Sequence, residues 1–297
     1  MPVKGEFFQK PATSSSDPSF YDYQIPFGCK IPRSPTTSSG TNGGGFGWSG
    51  QVYPNTSSCT RWTFSTWIKK LLVTDEIGPI DGGTFYQMFV SNIANNQGAN
   101  LCFSYGSGAD NQDVIQYRGS SSVIGTEKFT DRNNWWHLCM IFDTTQGTQS
   151  DRVKVYRNGV LLDINIGSVY SQNANIEFGV GQAYGSHYYG LFYGAHNHSE
   201  GNSLGCQLVV AETIIRHSIT GDTVANYGYL KNGVWVARDP TDSSYINSTF
   251  GSEGLWFKYA DSSNLGLDSS GNSNSATTTP NINADHQVID TPTNDGS

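Results

Sequence analysis

Charge of either sign is scarce in this chain, and positive charge most of all. Lys and Arg number 17 against 25 Asp and Glu, a net of −8, and the four types make up only 14% of 297 residues, where a soluble protein averages about 25%. No basic stripe gathers the few cations, so a phosphate backbone meets no electrostatic footprint and nucleic acid is excluded as a partner. Long apolar runs are missing too. Leu138 to Phe142 is typical of the longest stretches, well short of the roughly 18 residues that cross a bilayer, so no membrane insertion is expected. The opening MPVKGEFFQK has no apolar core of the secretory kind, which points to synthesis in the cytoplasm. Five cysteines, Cys29, Cys59, Cys102, Cys139 and Cys206, are odd in number and form no Cys-x-x-Cys pair. That pattern excludes a zinc ribbon or a dithiol centre and suits small hydrophobes in a reducing cytosol. Helical periodicity is absent over any long window. Only Ser218 to Leu230 has room for one short helix.

What the chain does have is aromatic residues (13%) and 34 glycines, a mixture that suits strands and turns. Residues 1–50 are rich in Pro, Ser, Thr and Gly, with aromatic islands at Phe7, Phe8, Phe20, Tyr21 and Tyr23. They read as an extended N-terminal arm whose rings need a partner surface, and Phe7, Phe8, Phe20 and Tyr21 are the candidate attachment residues. From residue 51 to 260 the pattern is that of a β-sandwich. Trp62, Phe64, Thr66 and Ile68 alternate with Thr63, Ser65, Trp67 and Lys69, the period of a strand covered on both faces. Trp135 to Asp143 reads as a central strand, which puts His137 inside the fold. Asn158 and Gly159 predict a two-residue hairpin turn, since both tolerate positive φ. Further strands are expected at Phe85 to Val90, Leu101 to Tyr105, Ile176 to Gly181, Gly190 to Ala195, Gln207 to Ile215, Val234 to Ala237 and Leu255 to Tyr259. Residues 261–297 are polar and turn-rich, and are expected to form a C-terminal strap across the sandwich.

Several segments together resemble the concanavalin A-like (laminin G-like) domains found in virion proteins of marine tailed bacteriophages. The resemblance is carried by WTFSTWIKK (Trp62 to Lys70), WWHLCMIFDTT (Trp135 to Thr145), RVKVYRNG (Arg152 to Gly159), NGVWVARD (Asn232 to Asp239), FKYADSSNLGLDSSGNSN (Phe257 to Asn274) and DTPTN (Asp290 to Asn294). It implies an all-β antiparallel jelly-roll sandwich and a place on a virus particle, with other virion proteins as partners and a homo-oligomer as one arrangement. Two roles are compatible with it. One is a fibre module that attaches to host-surface glycan; the other is a capsid decoration or knob protein whose lectin-like sandwich is purely structural.

An enzyme is not expected. Members of this fold that hydrolyse glucans carry Glu-x-Asp-x-Glu on one strand, a triplet absent here, and Asp75, Glu76 and Asp81 are interrupted by Gly78 and Pro79, which break a strand. Glycan contacts are candidates where aromatics stand between glycines: Tyr184, His187, Tyr188 and Tyr189 in QAYGSHYYG, and the segment GGGFGWSG from Gly43 to Gly50. Similar segments also make protein interfaces. Asp261, Asp268 and Asn272 offer hard oxygen donors, and the resemblance makes calcium the candidate cofactor, though Asx turns explain the same residues. His196, His198 and Glu200 alternate so that an extended strand would put them on one face, and three copies about an axis could hold a metal. A polar loop accounts for them equally well.

Overall fold

The structure is a computed structural model that describes residues 20–32, 46–47, 59–71, 85–91, 100–105, 113–118, 122–168, 170–175, 183–184, 187–188, 203–205, 207–244, 249–278 and 282–295. In chain order the first strands are β1 (Gly28–Ile31), β2 (Phe46–Gly47), β3 (Arg61–Lys70), β4 (Phe85–Ser91), β5 (Asn100–Tyr105), β6 (Val114–Arg118), β7 (Ser122–Lys128) and β8 (Trp136–Asp143). Then come β9 (Val153–Arg157), β10 (Val160–Leu161), β11 (Ile164–Ser168), β12 (Ala183–Tyr184), β13 (His187–Tyr188), β14 (Ser203–Gly205) and β15 (Leu208–His217). The last are β16 (Gly228–Lys231), β17 (Val234–Ala237), β18 (Leu255–Phe257), β19 (Thr277–Thr278), β20 (Gln287–Val288), β21 (Asp290–Thr291) and β22 (Asn294–Asp295). The described residues include no α-helix, and the fold is the expected all-β sandwich.

An eight-stranded sheet runs β10-β9-β8-β3-β15-β1-β20, with β18 also paired to β15, and faces a six-stranded sheet ordered β11-β7-β6-β5-β4-β14. Every pair in them is antiparallel except β14 with β4. Alternation explains the packing. On β3, Trp62, Phe64 and Ile68 enter the main core, as do Leu138, Met140 and Phe142 of β8, where they meet Phe103, Ile115 and Tyr117 of the smaller sheet. Lys70 ends the inward row of β3 and is ion-paired to Asp113 beside β6, with its ammonium 4.4 Å from the Phe103 ring centroid. This clamp ties one sheet to the other inside the sandwich.

The opposite face of the larger sheet is covered as well, which is why all ten residues of β15 are buried. A cap lies over it, made of residues 20–27, the β16–β17 hairpin and Phe250. Cys139 and Ile214 pack there with Tyr227, Phe250 and Trp256, while Trp67 and Ala211 pack with Ile25 and Ala237. Both hairpins of the larger sheet and its cap turn through Asn-Gly: Asn158 and Gly159 have φ of 48° and 77°, Asn232 and Gly233 of 52° and 81°. These are the positive values that the two-residue turn demands.

Two expectations need correction. Ser218 to Leu230 holds only a 3-10 turn at Val224–Asn226 before β16 begins. The apolar spacing there serves the cap, and Gly221 and Gly228 disfavour a helix. Part of the expected arm is sheet: β1 pairs with β15 on one side and β20 on the other, so residues 28–31 belong to the sandwich. The expected strands at Ile176 to Gly181 and Gly190 to Ala195 lie outside the described residues.

Candidate functional site

Each residue singled out in the sequence has a definite position or lies outside the described residues. Asp268 sits at the centre of a turn. Its Oδ1 accepts from the backbone N–H groups of Trp256 (2.9 Å) and Ser270 (2.9 Å), and its Oδ2 from Asn274 N (2.8 Å) and Ser270 Oγ (2.8 Å). Asn272 turns its Nδ2 to the carbonyls of Gly251 (2.6 Å) and Gly254 (2.9 Å). Asp261 caps a separate turn through Ser263 N (2.9 Å) and Ser263 Oγ (2.6 Å), and the Ser263 hydroxyl holds its carboxyl below the usual range. The three calcium candidates therefore fasten backbone turns, Asp268 and Asn272 meeting at the Ser270 hydroxyl and Asp261 holding a turn of its own. Among the described residues no three His, Cys, Asp or Glu cluster closely enough to hold a metal ion.

The arm residues Phe20 and Tyr21 contact each other edge to face with centroids 5.0 Å apart, and the Lys231 ammonium stands 5.5 Å from the Phe20 centroid. Asp22 bonds Lys231 at 2.7 Å and accepts from Tyr229 Oη. These contacts lie within one chain, on β16. Phe7 and Phe8 are outside the described residues, as are Tyr189, His196, His198 and Glu200. In GGGFGWSG, Phe46 is wholly buried with ring centroids of Phe257 and Tyr259 each 5.8 Å away, so it is core and not a sugar contact.

For the remaining glycan candidates the register is informative. β12 and β13 form their own antiparallel ladder in which Tyr184 pairs with His187 and Ala183 with Tyr188. Only Gly185 and Ser186 separate the two strands, so the hairpin is as tight as a ladder allows. Tyr184 and His187 thus occupy directly opposed positions, the closest cross-strand relation a sheet offers.

The layer beneath the cap holds polar groups that composition gave no reason to seek. His137 Nε2 lies 2.8 Å from Ser65 Oγ, its ring 5.0 Å from Trp67 and 5.8 Å from Trp235. Burial lowers its pKa to about 3. Among the described residues its Nδ1 has no partner, so no described carboxylate orients the imidazole as a Ser-His-Asp relay requires. Gly201, Asn202, Ser203, Leu204 and Gly205 spell Gly-x-Ser-x-Gly, yet Ser203 opens β14, paired in parallel with β4, and is not at the strand-to-helix elbow of a nucleophile.

Glu212 is the most unusual residue of this layer. The pairing of β15 with β3 shifts between Ala211 and Ile214, and Glu212 has φ of 45°, a left-handed value uncommon for a residue with a side chain. Before the bulge Leu208 and Val210 face the main core, and after it Ile215 does; the extra residue resets the alternation. Glu212 then meets Tyr23, whose hydroxyl donates to Oε1 at 2.5 Å. Burial raises the Glu212 pKa to about 8, with Asp239 adding to the rise. The visible signal was a single acid in LVVAETIIRH, since an unpaired acid in a fully buried strand must be neutralised.

No family model matches the chain, and no curated protein does. Solved structures to which it has a distant likeness include a sialidase of Trypanosoma rangeli, 12% identical with a TM-score of 0.29 over 52% of this chain and 20% of that one. Another is the Ruminococcus gnavus IT-sialidase CBM40 bound to α2,3-sialyllactose, 10% identical with a TM-score of 0.30, covering 63% of this chain and 92% of that one. A third is domain 4 of AbnA, an arabinanase of Geobacillus stearothermophilus, in complex with arabinotriose, 15% identical with a TM-score of 0.26, covering 62% and 92%. The chain thus spans about a fifth of the sialidase it matches, and likeness of this degree does not assign a ligand.

Proposed function

We propose that this protein is a non-enzymatic surface module of a tailed-phage virion, a concanavalin A-like sandwich that attaches to host-surface glycan through the β12–β13 hairpin. The observation that carries the glycan reading is the register of that hairpin, which sets Tyr184 directly opposite His187. An aromatic face stacks on sugar C–H groups and an imidazole edge bonds hydroxyls, so the pair combines the two contacts a sugar ring needs. The other polar candidates are already occupied. Asp268 and Asn272 hold the strap, and His137 and Glu212 are buried beneath the cap. The place on a virion rests on the resemblance carried by Trp62 to Lys70 and the segments that follow it.

The test is an array of bacterial lipopolysaccharide and capsular glycans probed with the full chain and with Tyr184→Ala. Binding by the parent and its loss in the variant are expected. If the parent binds no glycan, the attachment reading fails and the decoration role stands in its place. Antibody labelling of intact particles tests the virion assignment separately, and labelling absent from the particle surface would refute it.

A further inference from the structure

The two Asn-Gly turns share a local sequence and differ in their surroundings. Arg157-Asn158-Gly159-Val160 joins β9 to β10, and Lys231-Asn232-Gly233-Val234 joins β16 to β17. Both hold Asn and Gly at positive φ, so chain chemistry and turn type are alike. At the first turn, Asn158 Oδ1 accepts from His137 N at 2.7 Å, and Asn158 N donates to His137 O at 2.9 Å. The space beside Gly159 is filled by the Trp235 ring. At the second turn, Asn232 and Gly233 are both exposed. Among the described residues the Asn232 side-chain amide has no hydrogen-bond partner, and nothing stands within 4 Å of the position a Gly233 side chain would take. β16 and β17 form a sheet of two strands only, the kind whose end opens most readily.

We infer that Asn232 is a site of spontaneous covalent conversion to aspartate and isoaspartate, and that the fold protects Asn158 from the same reaction. The nucleophile is the Gly233 backbone nitrogen, which gives its proton to hydroxide and attacks Asn232 Cγ. The N–Cγ bond forms, the Cγ–Nδ2 bond breaks, and Nδ2 leaves as ammonia with a proton from water, which restores the hydroxide. Water then adds to either carbonyl of the cyclic imide and opens it, leaving a carboxylate on a normal or a lengthened backbone. Glycine at the second position leaves the approach unblocked. Closure still requires the Asn side chain to rotate and the turn to open. Asn158 can rotate only by leaving the His137 amide without its acceptor, and His137 is buried, so its reactive geometry is disfavoured. Asn232 breaks no such bond. The carboxylate formed there is one residue from Lys231, whose ammonium bonds Asp22 and stands over Phe20. Conversion therefore adds negative charge where a positive one holds the first residues of the cap. The lengthened product also adds a backbone atom to a turn that sets the β16–β17 register. The inference is independent of the glycan reading.

The experiment incubates the full chain at pH 8 and 37 °C, folded and in concentrated urea, and follows conversion by mass spectrometry of the chymotryptic peptides that span Asn158 and Asn232. Because the local sequences match, each residue's rate in the folded chain is divided by its own rate in urea, and any difference between the two ratios comes from the fold. The ratio at Asn232 is expected to exceed that at Asn158 by about tenfold or more, since only Asn158 must break a hydrogen bond and move against a packed ring. The converted Asn232 peptide should separate into aspartate and isoaspartate forms. Asn232→Asp, which keeps a residue tolerant of positive φ, should abolish the mass gain in that peptide and leave Asn158 unchanged. Equal ratios, a larger ratio at Asn158, or an Asn232 that does not convert in the folded chain would overturn the inference.

Discussion

Two groups buried under the cap should give the protein a stability profile with two limbs of opposite sign. Glu212 is raised from 4.5 to about 8, so the folded state holds its proton more tightly than the unfolded state does. Its contribution is complete below pH 4.5 and is lost as pH rises to 8, a difference of roughly 5 kcal/mol. His137 is lowered from 6.5 to about 3, so the folded state resists protonation. Its contribution is complete above pH 6.5 and is lost as pH falls towards 3, again roughly 5 kcal/mol. Stability should therefore climb by about 2 kcal/mol from pH 8 to 6.5, stay level between 6.5 and 4.5 where the slopes cancel, and fall below 4.5. Asp143, held low with help from Thr145 and Arg61 against its own burial, steepens the final fall. The assay is urea unfolding at constant ionic strength from pH 3.5 to 9, followed by tryptophan fluorescence. Glu212→Gln should remove the alkaline limb, and His137→Gln should let stability go on climbing from pH 6.5 to 4.5 where the parent is level. The reasoning fails if stability rises steadily from pH 4.5 to 8, or if either variant leaves its limb unchanged.

Lys70→Met removes the ammonium that pairs with the buried Asp113 and should cost about 3 to 5 kcal/mol in chemical denaturation; a loss under 1 kcal/mol would mean that the pair is not a clamp. A methyl group on Gly159 would stand 2.2 Å from Cζ3 of Trp235, and φ of 77° there adds about 1 to 2 kcal/mol. Gly159→Ala should therefore lower the melting temperature and shift tryptophan emission, and unchanged emission would place Trp235 elsewhere. Asp268→Ala removes the acceptor of four donors and should destabilise the strap turn by roughly 2 to 3 kcal/mol. The parent's melting temperature should be the same with calcium or chelator, and a calcium-dependent rise would return Asp268 to the role of ligand.

Local chemistry made part of this fold readable. The Asn158-Gly159 turn is recognisable because few residue pairs accept positive φ twice, and Val234–Ala237 is a strand with the expected bounds. The interior position of His137 followed from apolar neighbours on both faces of its strand. Other elements depend on partners distant in the chain. Gly28–Ile31 is short, carries Lys30 and lies between Pro26 and Pro32, so it resembles an arm until β15 and β20 supply its hydrogen bonds. The Glu212 bulge was equally hidden, because one extra residue in an apolar strand changes register without changing composition. Among the site candidates, Asp261, Asp268 and Asn272 were noted as oxygen donors, but backbone turns and calcium loops draw on the same side chains. Only the pairing of Asp268 with β18 separates the two. The closing DTPTN segment was visible as a motif without a role. Asp290 joins Lys69 (2.6 Å) to Trp135 (3.0 Å), and Thr291 and Thr293 hold Ile25.

The measurement that bears most directly on the proposed function is a calorimetric titration of the full chain with the strongest glycan from the array, repeated with Tyr184→Ala and His187→Ala. A stacked ring and a hydrogen-bonding edge are each worth about 1 to 1.5 kcal/mol. Each variant should therefore weaken binding by about tenfold while its melting temperature stays within a few degrees of the parent. Equal affinity in the parent and both variants would contradict the assignment of the β12–β13 hairpin as the attachment site.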